Sequence, residues 1–157
     1  MGENGGMKKR LVLLTLILLI ALSLTGCRKK GVIQGAPADP ANVPDLAGIY
    51  AVNGMDPAGE NYGGTLTIKP GDAPDTYTLH WIVTGAIQEG RGRVEGNQLI
   101  GQWWTLEGVT DARGEFTYTI TTLGELDGTR TVEGFEKAGW EKAFPNDENW
   151  GKFKFGH

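Results

Sequence analysis

From Asp45 to His157, apolar and polar residues alternate with period two far more often than they recur at helical spacing. In Thr65-Leu66-Thr67-Ile68-Lys69 the apolar side chains fall on one face and the Thr/Lys on the other, and Phe116-Thr117-Tyr118-Thr119-Ile120-Thr121 repeats the arrangement. Thr76-Tyr77-Thr78-Leu79-His80-Trp81 continues it, with Tyr77, Leu79 and Trp81 inward. Each is the pattern of a half-buried antiparallel strand with threonines outside. Turn residues punctuate these runs: Gly96-Asn97 has the chemistry of a two-residue hairpin loop, and Pro70-Gly71-Asp72-Ala73-Pro74 and Asp111-Ala112-Arg113-Gly114 make longer turns. The pattern predicts an all-β antiparallel meander of seven or eight strands between about Ile49 and Lys142. The stretch 132–144 fits either a short helix, from its Glu-Lys-Ala content, or a strand, because Gly134 and Gly139 weaken a helix. Lys152-Phe153-Lys154-Phe155 alternates like a final edge strand.

Open sheet edges invite aggregation, so a meander of this size closes on itself or is covered. A small closed barrel of lipocalin or avidin-like type is the expected architecture. Its aromatics Trp81, Trp103, Trp104, Tyr77 and Tyr50 are candidates for a lined interior or a contact surface: by the alternation Trp81, Trp103 and Tyr77 point inward and Trp104 outward, since consecutive strand residues face opposite sides. That assignment requires Gly101 not to be a bulge, which would reverse the faces beyond it. Gly90, Gly92 and Gly101 suit close packing beneath large rings.

The N-terminus follows a different logic. Lys8-Lys9-Arg10 precedes an apolar run from Leu11 to Leu24, which as a helix reaches about 21 Å, short of the roughly 30 Å of a bilayer core. The run ends in Leu24-Thr25-Gly26-Cys27, which resembles the lipobox of bacterial lipoproteins. The resemblance implies cleavage between Gly26 and Cys27 and a membrane anchor of acyl chains, palmitate among them, on Cys27. Two or three chains, at roughly 0.8 kcal/mol per buried methylene, hold a protein far more firmly than one. The organisation expected is then a signal peptide over 1–26, a flexible tether over 27–44, rich in Gly, Ala and Pro, and a β domain over 45–157. Arg28 stands directly after the cysteine, where an Asp commonly signals inner-membrane retention, so the resemblance implies the outer membrane if the cell envelope has one.

Gly48-Ile49-Tyr50-Ala51-Val52, Tyr62-Gly63-Gly64-Thr65-Leu66-Thr67-Ile68, Tyr77-Thr78-Leu79-His80-Trp81, Gly90-Arg91-Gly92 and Gly96-Asn97-Gln98-Leu99 follow one another in an order that resembles small exported glycine-rich β proteins, some labelled fibronectin-binding. The shared residues are turn glycines and core aromatics, which specify a fold more than an activity.

Charge and composition narrow the function. Beyond the signal the chain holds 12 basic and 18 acidic residues, a net charge of −6, which argues against nucleic acid as partner. Ser23 is the only serine and lies in the signal, so the mature chain has no serine nucleophile. Cys27 is the only cysteine, and His80 and His157 are the only histidines. Nothing in the pattern calls for a cofactor or a metal, and Asp56, Glu60, Asp72 and Asp75 lack the spacing of a calcium loop. The expected role is a non-enzymatic interaction or ligand-binding module at the cell envelope, its partner a protein, a glycan or a small apolar ligand. A carboxylate-based hydrolase and a fibronectin-binding adhesin are the alternatives.

Overall fold

The computed structural model describes residues 31–146. The signal, Cys27 and the Lys152 to Phe155 stretch lie outside the described residues. Eight strands run in sequence: β1 (Gly48–Met55), β2 (Asn61–Pro70), β3 (Thr76–Val83), β4 (Ala86–Glu95), β5 (Gln98–Gly108), β6 (Arg113–Ile120), β7 (Leu126–Arg130) and β8 (Gly139–Pro145). Each pairs antiparallel with the next, and β8 returns to β1 from Tyr50↔Pro145 to Met55↔Trp140, so the sheet is a closed barrel without a free edge. The all-β meander is as the alternation predicts and its closure as the cost of open edges predicts, and the stretch left open between helix and strand contributes β8 from Gly139 onward.

Local chemistry places the turns. Gly96 and Asn97 join β4 to β5, with Gly96 at φ +59°, the left-handed region that glycine enters without a steric cost. One register shift falls at Ile87/Gln88, where Gln88 opposes Thr105 and Ile87 opposes Glu107, making Leu106 the extra residue of a bulge. Gly101 lies in regular register opposite Gly92, so the alternation holds through Trp103 and Trp104.

The interior is filled. Tyr50, Leu66, Ile68, Leu79, Trp81, Leu99, Phe116, Tyr118, Ile120 and Leu126 are all buried, and Trp103 joins them. Phe116 stacks on Tyr118 at 5.3 Å and meets Trp81 edge-on at 5.8 Å between centroids, the offset and T-shaped geometries that the ring quadrupole favours. Room for rings this large in a narrow barrel comes from inward glycines. A Cβ at Gly90 would come within 2.8 Å of the Trp81 ring, and one at Gly101 within 2.6 Å of Phe116.

One end of the barrel carries the β2–β3, β4–β5 and β6–β7 turns, and the chain ahead of β1 closes it. Ala38 donates its N–H to Ile120 O (2.8 Å) and accepts from Asn97 Nδ2 (3.0 Å), and Pro37 bridges Thr121. Leu46 is wholly buried, and its carbonyl accepts the Tyr50 hydroxyl at 2.8 Å. Further out, the Glu125 carboxylate, itself buried, accepts the N–H groups of Gln34 (3.0 Å) and Gly35 (2.8 Å). The segment expected to be a flexible tether is therefore fixed to the barrel from Gln34 to Ala38. The reason is that unpaired backbone N–H groups find a carboxylate in the β6–β7 turn, a partner that local composition does not announce.

Candidate functional site

Two places in the barrel concentrate chemistry. The first is an interior polar cluster on β8, β7, β6, β4, β3 and β2. Glu141 is wholly buried, and both its oxygens are engaged. Oε1 accepts from Trp81 Nε1 (3.0 Å) and the Tyr118 hydroxyl, and Oε2 from the Tyr62 hydroxyl (2.7 Å) and Arg130 Nη1 (2.9 Å). Arg130 reaches on to Gln88 Oε1 at 2.8 Å. Its guanidinium carbon lies 4.7 Å from the Trp81 ring centroid and 4.1 Å from that of Trp103, a cation held between two indoles. Glu141 can be approached from so many sides because its cross-strand neighbours on both flanks, Gly54 and Gly128, have no side chains.

The electrostatics follow from this enclosure. Burial works against the Arg130 charge, but Glu141 and the Tyr118 and Tyr62 hydroxyls more than offset it, so its pKa lies above the ordinary arginine value. Burial, then Glu141, pushes the Tyr62 and Tyr118 phenols well up, with Arg130 pulling the other way. Tyr50 is raised by burial and next by Asp45. A carboxylate whose oxygens are already taken by four donors is a structural ion, not a free acid or base facing a pocket.

The second place is the outer face of β3 to β6. Directly opposed residues share a face of a sheet, so the register gives two outward rows: Thr78, Arg91, Gln102 and Glu115, and next to it His80, Glu89, Trp104 and Arg113. Two grooves cross these rows. One, of about 810 Å³, runs from the β2–β3 turn over Thr78, Arg91 and Gln102 to Glu115. The other, of about 500 Å³, runs from Gln102 and Glu115 past Trp104 to the β7–β8 connection, where Phe135 is 52% exposed.

The aromatics singled out from the sequence divide between these two places. Trp81, Trp103 and Tyr50 are taken up by the core, and Tyr77 is half-buried against it. Trp104 is the one that faces out, half-buried among Glu89, Arg113 and the β7–β8 connection. Trp103→Ala should cost about 3 to 5 kcal/mol, since it empties an indole-sized volume and strips one face from Arg130, whereas Trp104→Ala should cost under about 1 kcal/mol. Urea melts of the two variants check this; equal large losses would place both rings in the core.

The remaining candidates do not converge. His80 is on the outer face between Thr67 and Glu89, and His157 lies outside the described residues. Asp56 and Glu60 sit in the β1–β2 turn and Asp72 and Asp75 in the β2–β3 turn, at opposite ends of β2, so they share no site. Among the described residues no three His, Cys, Asp or Glu side chains gather as a metal site would require.

An eight-stranded closed antiparallel barrel with a filled interior is the class of protein that this fold defines. Among solved structures it is similar to the redesigned β-barrel mFAP1 bound to DFHBI, at TM-score 0.55 and 13% identity over 63% of this chain and 94% of that one. It is similar as well to mFAP0 bound to DFHBI, at 0.54 and 13% over 63% and 97%, and to the redesigned barrel b11L5F_LGL, at 0.54 and 10% over 63% and 90%. At these identities the likeness is one of fold. No family model matches the chain, and no curated protein matches it.

Proposed function

We propose that this chain is an exported lipoprotein, held to the cell envelope through acylated Cys27, whose barrel is a non-enzymatic binding module working through its outer face at Trp104. The observation that carries the second half is a contrast. The barrel interior is occupied by its own rings and by the Glu141–Arg130 pair, while Trp104 stands outward in a groove. Aromatic side chains placed at a surface, where burial on folding does not account for them, are the usual anchors of contacts. The lipid anchor rests on Leu24-Thr25-Gly26-Cys27 behind a basic and apolar leader.

Cys27→Ala should leave the protein uncleaved or released, so that it no longer follows the wild type into the detergent phase. Equal partitioning of the two would remove the anchor from this account. For the outer face, a photo-crosslinking residue at Trp104 in living cells should give an adduct that the same residue at Ala51, on the exposed outer face of β1, does not. Equal yields at both positions would count against a dedicated surface.

A further inference from the structure

The two outer-face grooves both end at Gln102 and Glu115, so they form one channel that crosses β3, β4, β5 and β6 and continues to the β7–β8 connection. We propose that this channel binds a neutral glycan chain, with a sugar ring stacked on Trp104. The inference rests on the reading of Trp104 as a contact surface and names what the surface takes.

Dimension comes first. At about 4.8 Å between strands, the passage from β3 to β6 alone is about 14 Å long, which suits several linked pyranose rings rather than one small molecule. Its openness to solvent also sets it apart from the enclosed apolar cavity in which a small apolar ligand is buried. Chemistry comes next. The floor offers hydroxyls from Thr78 and Thr117 and planar, two-pronged groups from Arg91, Gln102 and Glu115, side chains that can donate to or accept from neighbouring sugar hydroxyls. In the middle of the channel Ile100 is flanked by Arg93 and Thr117 and stands beside Arg91 and Gln102, a mixed lining rather than the apolar core that a protein partner requires at the centre of its interface. The Trp104 indole and the Phe135 ring stand together at one end.

Charge decides between neutral and acidic polymers. The lining holds Arg91, Arg93 and Arg113 against Asp72, Glu115 and Glu133, three of each sign. Arg93 is paired with Glu95 and Arg113 with Glu133, which leaves little positive field to draw a polyanion.

The test is titration of the full chain in detergent with cellohexaose, chitohexaose and maltohexaose, and with a polygalacturonate hexamer as the acidic counterpart, followed by ¹⁵N amide shifts. At least one neutral hexasaccharide should give saturable shifts at Arg91, Gln102, Glu115 and Thr117. Trp104→Ala should weaken that binding about tenfold or more, and Gln102→Ala about threefold or more, with the folded spectrum kept. Ile82→Ser, on the outer face beyond the channel, should change nothing. No saturable shift with any neutral hexamer at about 5 mM, preference for the acidic one, or full affinity in Trp104→Ala would each overturn the proposal. If crosslinking from Trp104 then yields a protein adduct, the glycan assignment fails while the contact surface stands. If neither sugar nor adduct appears there, the surface itself fails.

Discussion

Replacing Glu141 by Leu will destabilise the barrel by about 5 kcal/mol, the upper range for breaking a buried ion pair, and by more than Arg130→Leu does, at about 3 kcal/mol. The two losses differ because the partners leave different orphans behind. Without Arg130, the carboxylate keeps the Tyr62 and Tyr118 hydroxyls and Trp81 Nε1, three donors within hydrogen-bond reach. Without Glu141, those same three donors lose their acceptor inside the barrel, and Arg130 keeps only Gln88 and the two indole faces. Arg130 Nε, moreover, is buried with no acceptor even in the intact protein. Each buried donor left unpaired costs about 1 to 3 kcal/mol, so the larger share of the penalty comes from stranded groups rather than from the lost attraction. The double variant Glu141→Leu/Arg130→Leu should therefore be more stable than Glu141→Leu alone, since it removes the isolated cation. Urea melts of the two singles and the double form a complete cycle. A double variant as unstable as the sum of the singles would mean that the pair is not coupled, contrary to the 2.9 Å contact and the burial of both side chains.

Much of the barrel is legible in the sequence, and the illegible part has one physical cause. Alternation sorts a strand correctly when its inward residues are the apolar ones, as in Leu66 and Ile68 of β2 or Phe116, Tyr118 and Ile120 of β6. It orders Trp103 and Trp104 correctly as well. In β8 the same rule points the wrong way. Gly139, Glu141 and Ala143 alternate with Trp140, Lys142 and Phe144, and hydropathy alone turns the Trp and Phe inward. The barrel instead buries Glu141 and leaves Trp140 37% exposed. In β7 likewise, Leu126, Gly128 and Arg130 face in while Asp127 and Thr129 face out. A charge on the inner face is invisible to a one-strand reading because its counter-charge sits on a neighbouring strand, and only closure brings Arg130, Glu141 and the two tyrosines together. The glycines flanking Glu141 across the sheet, Gly54 and Gly128, are the trace that this arrangement leaves in the sequence. They are read as a site only once the register is known. The Glu125 clamp on Gln34 and Gly35 escapes for the same reason, with 90 residues of chain between Gly35 and its acceptor.

Above about pH 10 the protein will lose stability at up to about 4 kcal/mol per pH unit, about 1.4 kcal/mol for each of Tyr50, Tyr62 and Tyr118. All three phenols are raised above their ordinary value, Tyr50 by burial and then Asp45, the other two by burial and then Glu141. In the unfolded chain each releases its proton near pH 10, whereas in the barrel each holds it. The folded state then binds more protons than the unfolded one, so stability falls as pH rises. These groups leave stability unchanged below pH 10, and their contribution drains away above it until the folded-state values are reached. Little more than one unit removes about 5 kcal/mol, the lower end of ordinary domain stability, so alkaline unfolding should be steep. Tyr50→Phe separates this effect from loss of the interior cluster. It gives up the hydrogen bond to Leu46 O, worth about 1 kcal/mol at any pH, and should lower the slope by about a third without touching Glu141. Urea melts at pH 9, 10 and 11, with phenolate absorbance followed in the same samples, read both quantities. Phenolate beyond the single equivalent that half-buried Tyr77 can supply, appearing near pH 10 in the still-folded protein, would show that the barrel does not shield these three hydroxyls. A folded protein that keeps three tyrosines un-ionised to pH 11 and then unfolds as they ionise is the outcome that an interior closed around Glu141 and sealed by Leu46 demands.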